Sequence, residues 1–329
     1  MNQLRDNLKK LGLSPNHIFQ QVKDAISEDL AGGEDLTSMA TITASQVSTG
    51  EFVARGAGVI SGLHVAAAVL EYCGVNHYEV LVDEGATVSA GKVLISVQGN
   101  TQKILLAERT ALNFLSHLSG ISTLTSKWVA EVAGTKCQIR DTRKTTPGLR
   151  SLEKFATRMG GAINHRQSLS ESALIKDNHI AAAGGITSAF NAIKKMYPGK
   201  FIEIEVDSLE QLKEALGLKP DLILLDNMSA KICEEAVAIT AGSVKLEASG
   251  GLTIENAKVY AFYQKAISFG FTGKNEKKIE NLLSFLQLYP KSEYRDDALF
   301  ELGNTYVAEK KNDQALKTYD QLISEFQNG

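Results

Sequence analysis

The chain has 329 residues, with 35 Lys and Arg against 38 Asp and Glu and a formal net charge of −3. That balance argues against a broad nucleic-acid surface, which needs positive charge spread over a whole face. No uninterrupted apolar run approaches the length of a membrane span. The length suits two or three domains with ample buried core. The first ten residues, MNQLRDNLKK, lack a secretory apolar region. Cys73, Cys137 and Cys233 lie far apart with no CxxC or Cys/His pairing. They read as reduced, buried thiols of a cytoplasmic protein rather than a zinc site.

In chain order, Ser14-Pro15 opens an amphipathic helix over 14–30 with Ile18, Val22, Ile26 and Leu30 on one stripe. An acidic segment follows, from Glu28 to Ser38, and its glycines predict turns. Residues 50–60, 78–82, 87–89 and 93–97 are short Val- and Ile-rich runs separated by glycines, with a helical stretch at Val65–Cys73 between two of them. This predicts a small α+β domain with an antiparallel sheet. From Ile104 to Val132 the spacing is helical and puts Arg109 and Asn113 on one face.

Strands then alternate with helices. The predicted strands are Cys137–Arg140, Ala173–Lys176, Phe201–Val206, Leu222–Leu225 and Lys245–Ala248; the helices are Leu149–Met159, Ile186–Met196, Leu209–Leu216 and Ala230–Ile239. Such alternation indicates parallel βαβ units, closed as a barrel or left open. Each strand ends in polar groups: Asp141 and Arg143, Lys176 and Asp177, Glu205 and Asp207, Asp226 and Asn227, Glu247 and Ser249. Chemistry at the C-terminal mouth of many strands fits a barrel better than an open sheet, whose ligands gather at one switch point.

The basic stretch 140–176 holds Arg140, Arg143, Lys144, Arg150, Lys154, Arg158, His165, Arg166 and Lys176. In a slightly acidic protein this suggests a polyanionic small molecule, although a basic run is often just a solvated helix face. Along Phe201–Asp207, Glu203, Glu205 and Asp207 share the face opposite Ile202, Ile204 and Val206. Carboxylates inside a parallel sheet need cations to offset desolvation. With Asp226 on the next strand, a hard divalent ion fits. Ser249-Gly250-Gly251 with Thr253 offers backbone amides suited to phosphate.

The strings DTRKTTPGLR, GGAINHR, LIKDNHI, IEIEV, LILLDNM and EASGGLT occur in order, preceded by EDLAGGEDLTS, GVISG and AERTALNFLSHLSGIST. Over about residues 14–261 the chain resembles the quinolinate phosphoribosyltransferases, the carboxylating nicotinate-nucleotide pyrophosphorylases. The resemblance implies an α/β fold with an N-terminal α/β sandwich domain at 1–115, a dimer-contacting helix to about 133, and an α/β barrel at 116–274. It implies a homodimer that joins quinolinate to phosphoribosyl pyrophosphate, with loss of pyrophosphate and CO2, to give nicotinate mononucleotide for NAD biosynthesis. By the same resemblance, Arg143, Lys144, His165, Arg166 and Lys176 surround the dicarboxylate and the pyrophosphate, and Arg109 arrives from the partner subunit. Glu205 and Asp226 hold Mg2+, Ser249, Gly250 and Gly251 bind phosphate, and the catalytic group is Lys144, Lys176, Glu205 and Asp226. Arg150, Lys154 and Arg158 keep the bland reading, a solvated or interface face.

Past Ala261 the chain departs from the family: FYQKAISFGFTGKNEKK lacks the Thr-His-Ser element of the last phosphate loop. Ala266–Phe269 is the candidate last strand and 269–273 a loose echo of that loop, so the barrel is expected to be incomplete or atypically closed. Residues 275–329 resemble a tetratricopeptide repeat fragment, with Leu302-Gly303, Tyr306, Ala315 and Tyr319 at its spacing. One and a half repeats are not expected to bury a continuous core alone. A second reading, from another functional class, is therefore a substrate-binding but catalytically impaired chain whose tail is a helical protein-interaction module. A third, a phosphoribosyltransferase for another heterocycle, is disfavoured by Arg143 and His165-Arg166, which suit a dicarboxylate.

Overall fold

The computed structural model describes residues 2–254, 257, 274–292 and 294–326. They fall into two units, Met1–Ala130 with Gln138–Gln167 and Glu131–Cys137 with Ser168–Gly329.

In the first unit, α1 (Asn2–Lys10) buries Leu4 and Leu8, and α2 (Pro15–Leu30) buries the expected Ile18, Val22 and Ile26. The acidic turn segment contains a helix, α3 (Leu36–Thr41), because Asp35 caps it by accepting the Ser38 N–H at 3.0 Å. The antiparallel sheet is ordered β1 (Val47–Val53), β5 (Val93–Asn100), β3 (His77–Val80), and a smaller pair joins β2 (Gly58–Val59) to β4 (Thr87–Val88). Between them α4 (Leu63–Tyr72) is buried almost all round. It enters beside α5 (Thr101–Glu131) at Gly62, whose φ of +96° suits glycine and where a Cβ would meet Leu118 at 2.8 Å. The nearly buried Glu84 carboxylate accepts the Gly62 and His64 N–H groups at 2.8 and 3.0 Å, which satisfies the start of α4.

The second unit carries a parallel sheet in the order β6 (Ala173–Ile175), β7 (Ile202–Val206), β8 (Leu222–Asp226), β9 (Lys245–Ser249). Helices α7 (Asp177–Ala183), α8 (Ile186–Met196), α9 (Leu209–Leu218) and α10 (Ala230–Thr240) alternate with the strands. Strand order follows chain order without reversal, as in a (β/α) barrel and unlike a doubly wound sheet with a switch point. Leu222 to Leu225 are all buried, and Ile223 and Leu225 share a core with Ile175, Phe190, Ile204 and Leu212. Four predicted strands are thus found. The fifth is corrected: 137–140 makes only an isolated bridge, Arg140 to Ile163, because Asp141 turns the chain into a side-chain network. Cys137 is exposed rather than buried for the same lack of a sheet around it. The candidate strand 266–269 and loop 269–273 lie outside the described residues.

The tail forms three helices, α11 (Asn275–Leu288), α12 (Arg295–Ala308) and α13 (Asn312–Glu325). Contrary to expectation they share a small core of their own: Ile279, Leu282, Phe285, Ala298, Leu302, Tyr306 and Ala315. A Lys231–Asp297 ion pair at 3.4 Å joins α10 to α12, but Lys231 is largely exposed, so it holds little. The Gly of the repeat signature has a packing cause, since a Cβ on Gly303 would overlap the Tyr319 ring, whose hydroxyl donates to Asn304 at 2.7 Å. Gly303→Val should cost the tail about 1–3 kcal/mol, seen as faster amide exchange across 275–326. Adding Tyr319→Ala should recover part of the loss, and unchanged exchange in the single variant would refute the close-packing account.

Candidate functional site

Asp141, Lys154 and His165 organise the first group of predicted site residues. On α6 (Arg150–Met159), Leu152, Phe155 and Ala156 face the core, and Lys154 is as fully buried as they are. Its ammonium donates to Asp141 Oδ1 and to the His165 carbonyl, the latter at 2.8 Å. Asp141 also accepts from His165 N at 2.7 Å and from Asn164 Nδ2. Arg158 donates to Asn164 Oδ1 and to the Leu11 carbonyl, both at 2.7 Å, and Arg150 donates to Thr145 Oγ1 at 3.1 Å and to the Gln167 carbonyl at 3.3 Å. The solvated-face reading of Arg150, Lys154 and Arg158 is therefore wrong. The segments 141–149 and 161–167 fold over that side of α6 and use all three side chains as fasteners.

Those two segments carry Arg143, Lys144, His165 and Arg166. Lys144 is exposed, Arg143 and Arg166 are half-buried, and His165 is buried. Among the described residues, the Arg143 Nε is shielded from solvent with no hydrogen-bond partner. His165 Nδ1 accepts the Arg166 N–H at 2.7 Å, so a neutral ring carries its proton on Nε2. Arg109 stands exposed on α5.

Glu153, which drew no attention in the sequence, fixes the same loop. It accepts the Thr146 N–H at 3.0 Å and pairs with His117 Nε2 of α5 at 3.0 Å. Burial pushes its carboxyl up, but the Thr146 and His117 hydrogen bonds outweigh that and hold it below the ordinary carboxylate range. Its spacing of three from Arg150 on α6 gave no sign of this, because both its partners lie elsewhere in the chain.

The second group lies in the second unit, at the C-terminal ends of its parallel strands. Register sets Ile175 against Ile204 and Asp226 against Ser249, so Lys176 comes level with Glu205. Lys176 Nζ pairs with Glu205 Oε2. Its backbone N–H donates to His179 Nδ1 at 3.0 Å, closing the start of α7, a helix the sequence reading missed. Glu203, one turn of pleat deeper, is buried. Asp226 Oδ2 accepts from Asn227 Nδ2 at 2.7 Å, and the Asn227 N–H donates to the Ser249 carbonyl at 2.8 Å. Gly250 and Gly251 both have positive φ, and a Cβ at Gly250 would strike Asn227. Glycine is required there by the close approach of the β8 and β9 ends.

Sequence models of the quinolinate phosphoribosyl transferase N-terminal and C-terminal domains match residues 35–119 and 121–280. The carboxylating nicotinate-nucleotide pyrophosphorylase of Mycobacterium leprae is 50% identical over 246 residues, covering 73% of this chain and 87% of that protein. The chain belongs to the quinolinate phosphoribosyltransferase family. A probable carboxylating nicotinate-nucleotide pyrophosphorylase of Bacillus subtilis is 36% identical over 283 residues, covering 85% of this chain and 93% of that protein. The solved structure of NadC from Streptococcus pyogenes matches with a TM-score of 0.72 at 35% identity, over 75% of this chain and 87% of its own. The family match thus runs to residue 280, past the point where resemblance was read to fade, and a tetratricopeptide repeat model matches 297–329.

A depressed carboxyl stabilises the fold above its ordinary pKa, and that stability is lost as pH falls through the depressed value. The melting temperature of wild type should therefore exceed that of Glu153→Gln at pH 7. The gap should shrink only below about pH 4.5, the ordinary value. A gap independent of pH down to acid unfolding would contradict the Glu153 latch.

Proposed function

We propose that this chain transfers the phosphoribosyl group of phosphoribosyl pyrophosphate to quinolinate, releasing pyrophosphate and CO2 and forming nicotinate mononucleotide for NAD biosynthesis. The observation that carries the reading is the edge of β6 to β9, where Lys176, Glu205, Asp226 and Ser249 lie at or beside the C-terminal ends of successive strands of a chain in this family. Among the described residues no helix is long and apolar enough to cross a membrane. Cys73, Cys137 and Cys233 are not joined by a disulfide among the described residues, which suits a reducing compartment such as the cytoplasm.

The residue roles follow from charge. Quinolinate brings two adjacent carboxylates, and Arg143, Arg166 and His165 supply donors for them; a guanidinium meets a planar carboxylate through two parallel hydrogen bonds. The buried Arg143 Nε supports this, because a desolvated donor gains most from an anionic acceptor. The pyridine nitrogen attacks the anomeric carbon of the ribose as the bond to the pyrophosphate oxygen breaks, and pyrophosphate leaves with that electron pair. Lys144 and Lys176 offset the charge that gathers on the leaving group. Once the ring nitrogen is quaternary, the carboxylate beside it departs as CO2. Its electron pair stays on the ring carbon, held next to the positive nitrogen, until a proton from water replaces it. This step asks for orientation rather than an acid-base pair.

Glu205 and Asp226 lie near the ends of neighbouring strands, and their hard oxygen donors fit Mg2+ together with phosphate oxygens. When bound, that ion would neutralise pyrophosphate charge. Ser249, Gly250 and Gly251 are assigned to a phosphate group, where the left-handed glycine pair leaves the backbone bare of side chains. The functional protein is assigned as a homodimer in which the exposed Arg109 serves the acceptor group of the other subunit.

Purified full-length protein, supplied with quinolinate, phosphoribosyl pyrophosphate and MgCl2, should form nicotinate mononucleotide and pyrophosphate in equal amounts. Asp226→Asn should lower kcat/KM at least about a hundredfold, in line with loss of a transition-state charge contact. Folded wild-type protein that makes no mononucleotide would overturn the assignment.

A further inference from the structure

We propose that Lys154 is a positioning residue for the acceptor carboxylates: through Asp141 it sets the spacing between the loop that carries Arg143 and the turn that carries His165 and Arg166. This rests on the assignment of those three side chains to quinolinate.

Lys154 has no exposed surface, and its ammonium touches the two segments at once. One contact is to the Asp141 carboxylate, two residues before Arg143, and the other is to the carbonyl of His165 at 2.8 Å. Asp141 returns the tie by accepting the His165 N–H at 2.7 Å. Asn164 closes the figure, donating to Asp141 and, at 2.9 Å, to the Lys154 carbonyl. The backbone at 141 and the backbone at 164–165 are thus fastened to one charged pair.

An ion pair between a buried lysine and a largely buried aspartate is a poor way to gain stability, because desolvating the charges offsets most of their attraction, and apolar pairs of equal volume often do as well. What such a pair does supply is directional geometry. It also adds no net charge, because Lys154 and Asp141 cancel. An apolar pair could replace the packing but not the hydrogen bonds to the 164–165 backbone.

The test compares wild type with Lys154→Met, Asp141→Asn and the apolar double variant Lys154→Met/Asp141→Leu, each checked for folding by circular dichroism and melting temperature. Steady-state KM for quinolinate and for phosphoribosyl pyrophosphate, and kcat, are then measured for the variants that fold. The expected result is a rise of about tenfold or more in KM for quinolinate, the size of one misplaced charge-assisted contact. KM for phosphoribosyl pyrophosphate should stay within about twofold of wild type, a change too small to count as a lost contact. Equal shifts in both KM values, or none in a folded variant, would overturn the positioning role. Failure of all three variants to fold would overturn it too, because the pair would then serve stability. If wild type itself makes no mononucleotide, the underlying reading falls and takes this proposal with it.

Discussion

A lysine with no exposed surface must be given a carboxylate, and in the first unit that demand shapes the segments that carry Arg143 and His165. The Lys154 ammonium is met by Asp141 and by the His165 carbonyl. Uncompensated, a buried charge costs several kcal/mol, so the segments at 141–149 and 161–167 cannot leave α6 without exposing or orphaning it. Arg150 and Arg158 fasten the same two segments from neighbouring turns, and Glu153 fastens the first from the other side. Arg143, Lys144, His165 and Arg166 sit on a backbone that is fixed by residues with no ligand to hold.

The sheet of the second unit follows a different rule. Parallel strands in chain order place their C-terminal residues along one edge, so a short sequence interval between strands becomes one row of side chains. Lys176 pairs with Glu205 on that row, and Asp226 faces Ser249 across the β8–β9 ladder. The pairing keeps the Glu205 carboxylate compensated beside the apolar Ile204 and Val206, the balance that a charged strand inside a parallel sheet needs. Gly250 belongs to the same edge because the Asn227 side chain occupies the space a Cβ would take.

Much of this was legible in the chain itself. Strand-like runs alternating with helical stretches located four parallel strands to within a residue or two, and the 3.6-residue stripe located α2 and its buried Ile18, Val22 and Ile26. Asp35 with Ser38 three residues on was a cap signal for α3 that went unread. Lys154 was not legible. Its neighbours Arg150 and Arg158, four residues away on each side, make the pattern of a solvated helix face. Its burial depends on a segment ten residues further on folding back over the helix, which no local period reports. The strand expected at 137–140 failed for a related reason: Asp141 is drawn to Lys154, and the ladder stops at one bridge. In the tail, Gly303 and Tyr319 were read as a repeat signature, and the structure supplies its cause in one ring packed on one glycine.

The central claim is that Arg143, His165 and Arg166 form a receptor for two adjacent carboxylates on a pyridine ring. Calorimetric titration of the full-length protein with quinolinate and, separately, with nicotinate tests it most directly, because the two rings differ only in the carboxylate beside the nitrogen. The account predicts quinolinate affinity at least about tenfold higher, the worth of one charge-assisted contact. Equal affinities, or tighter binding of nicotinate, would contradict it.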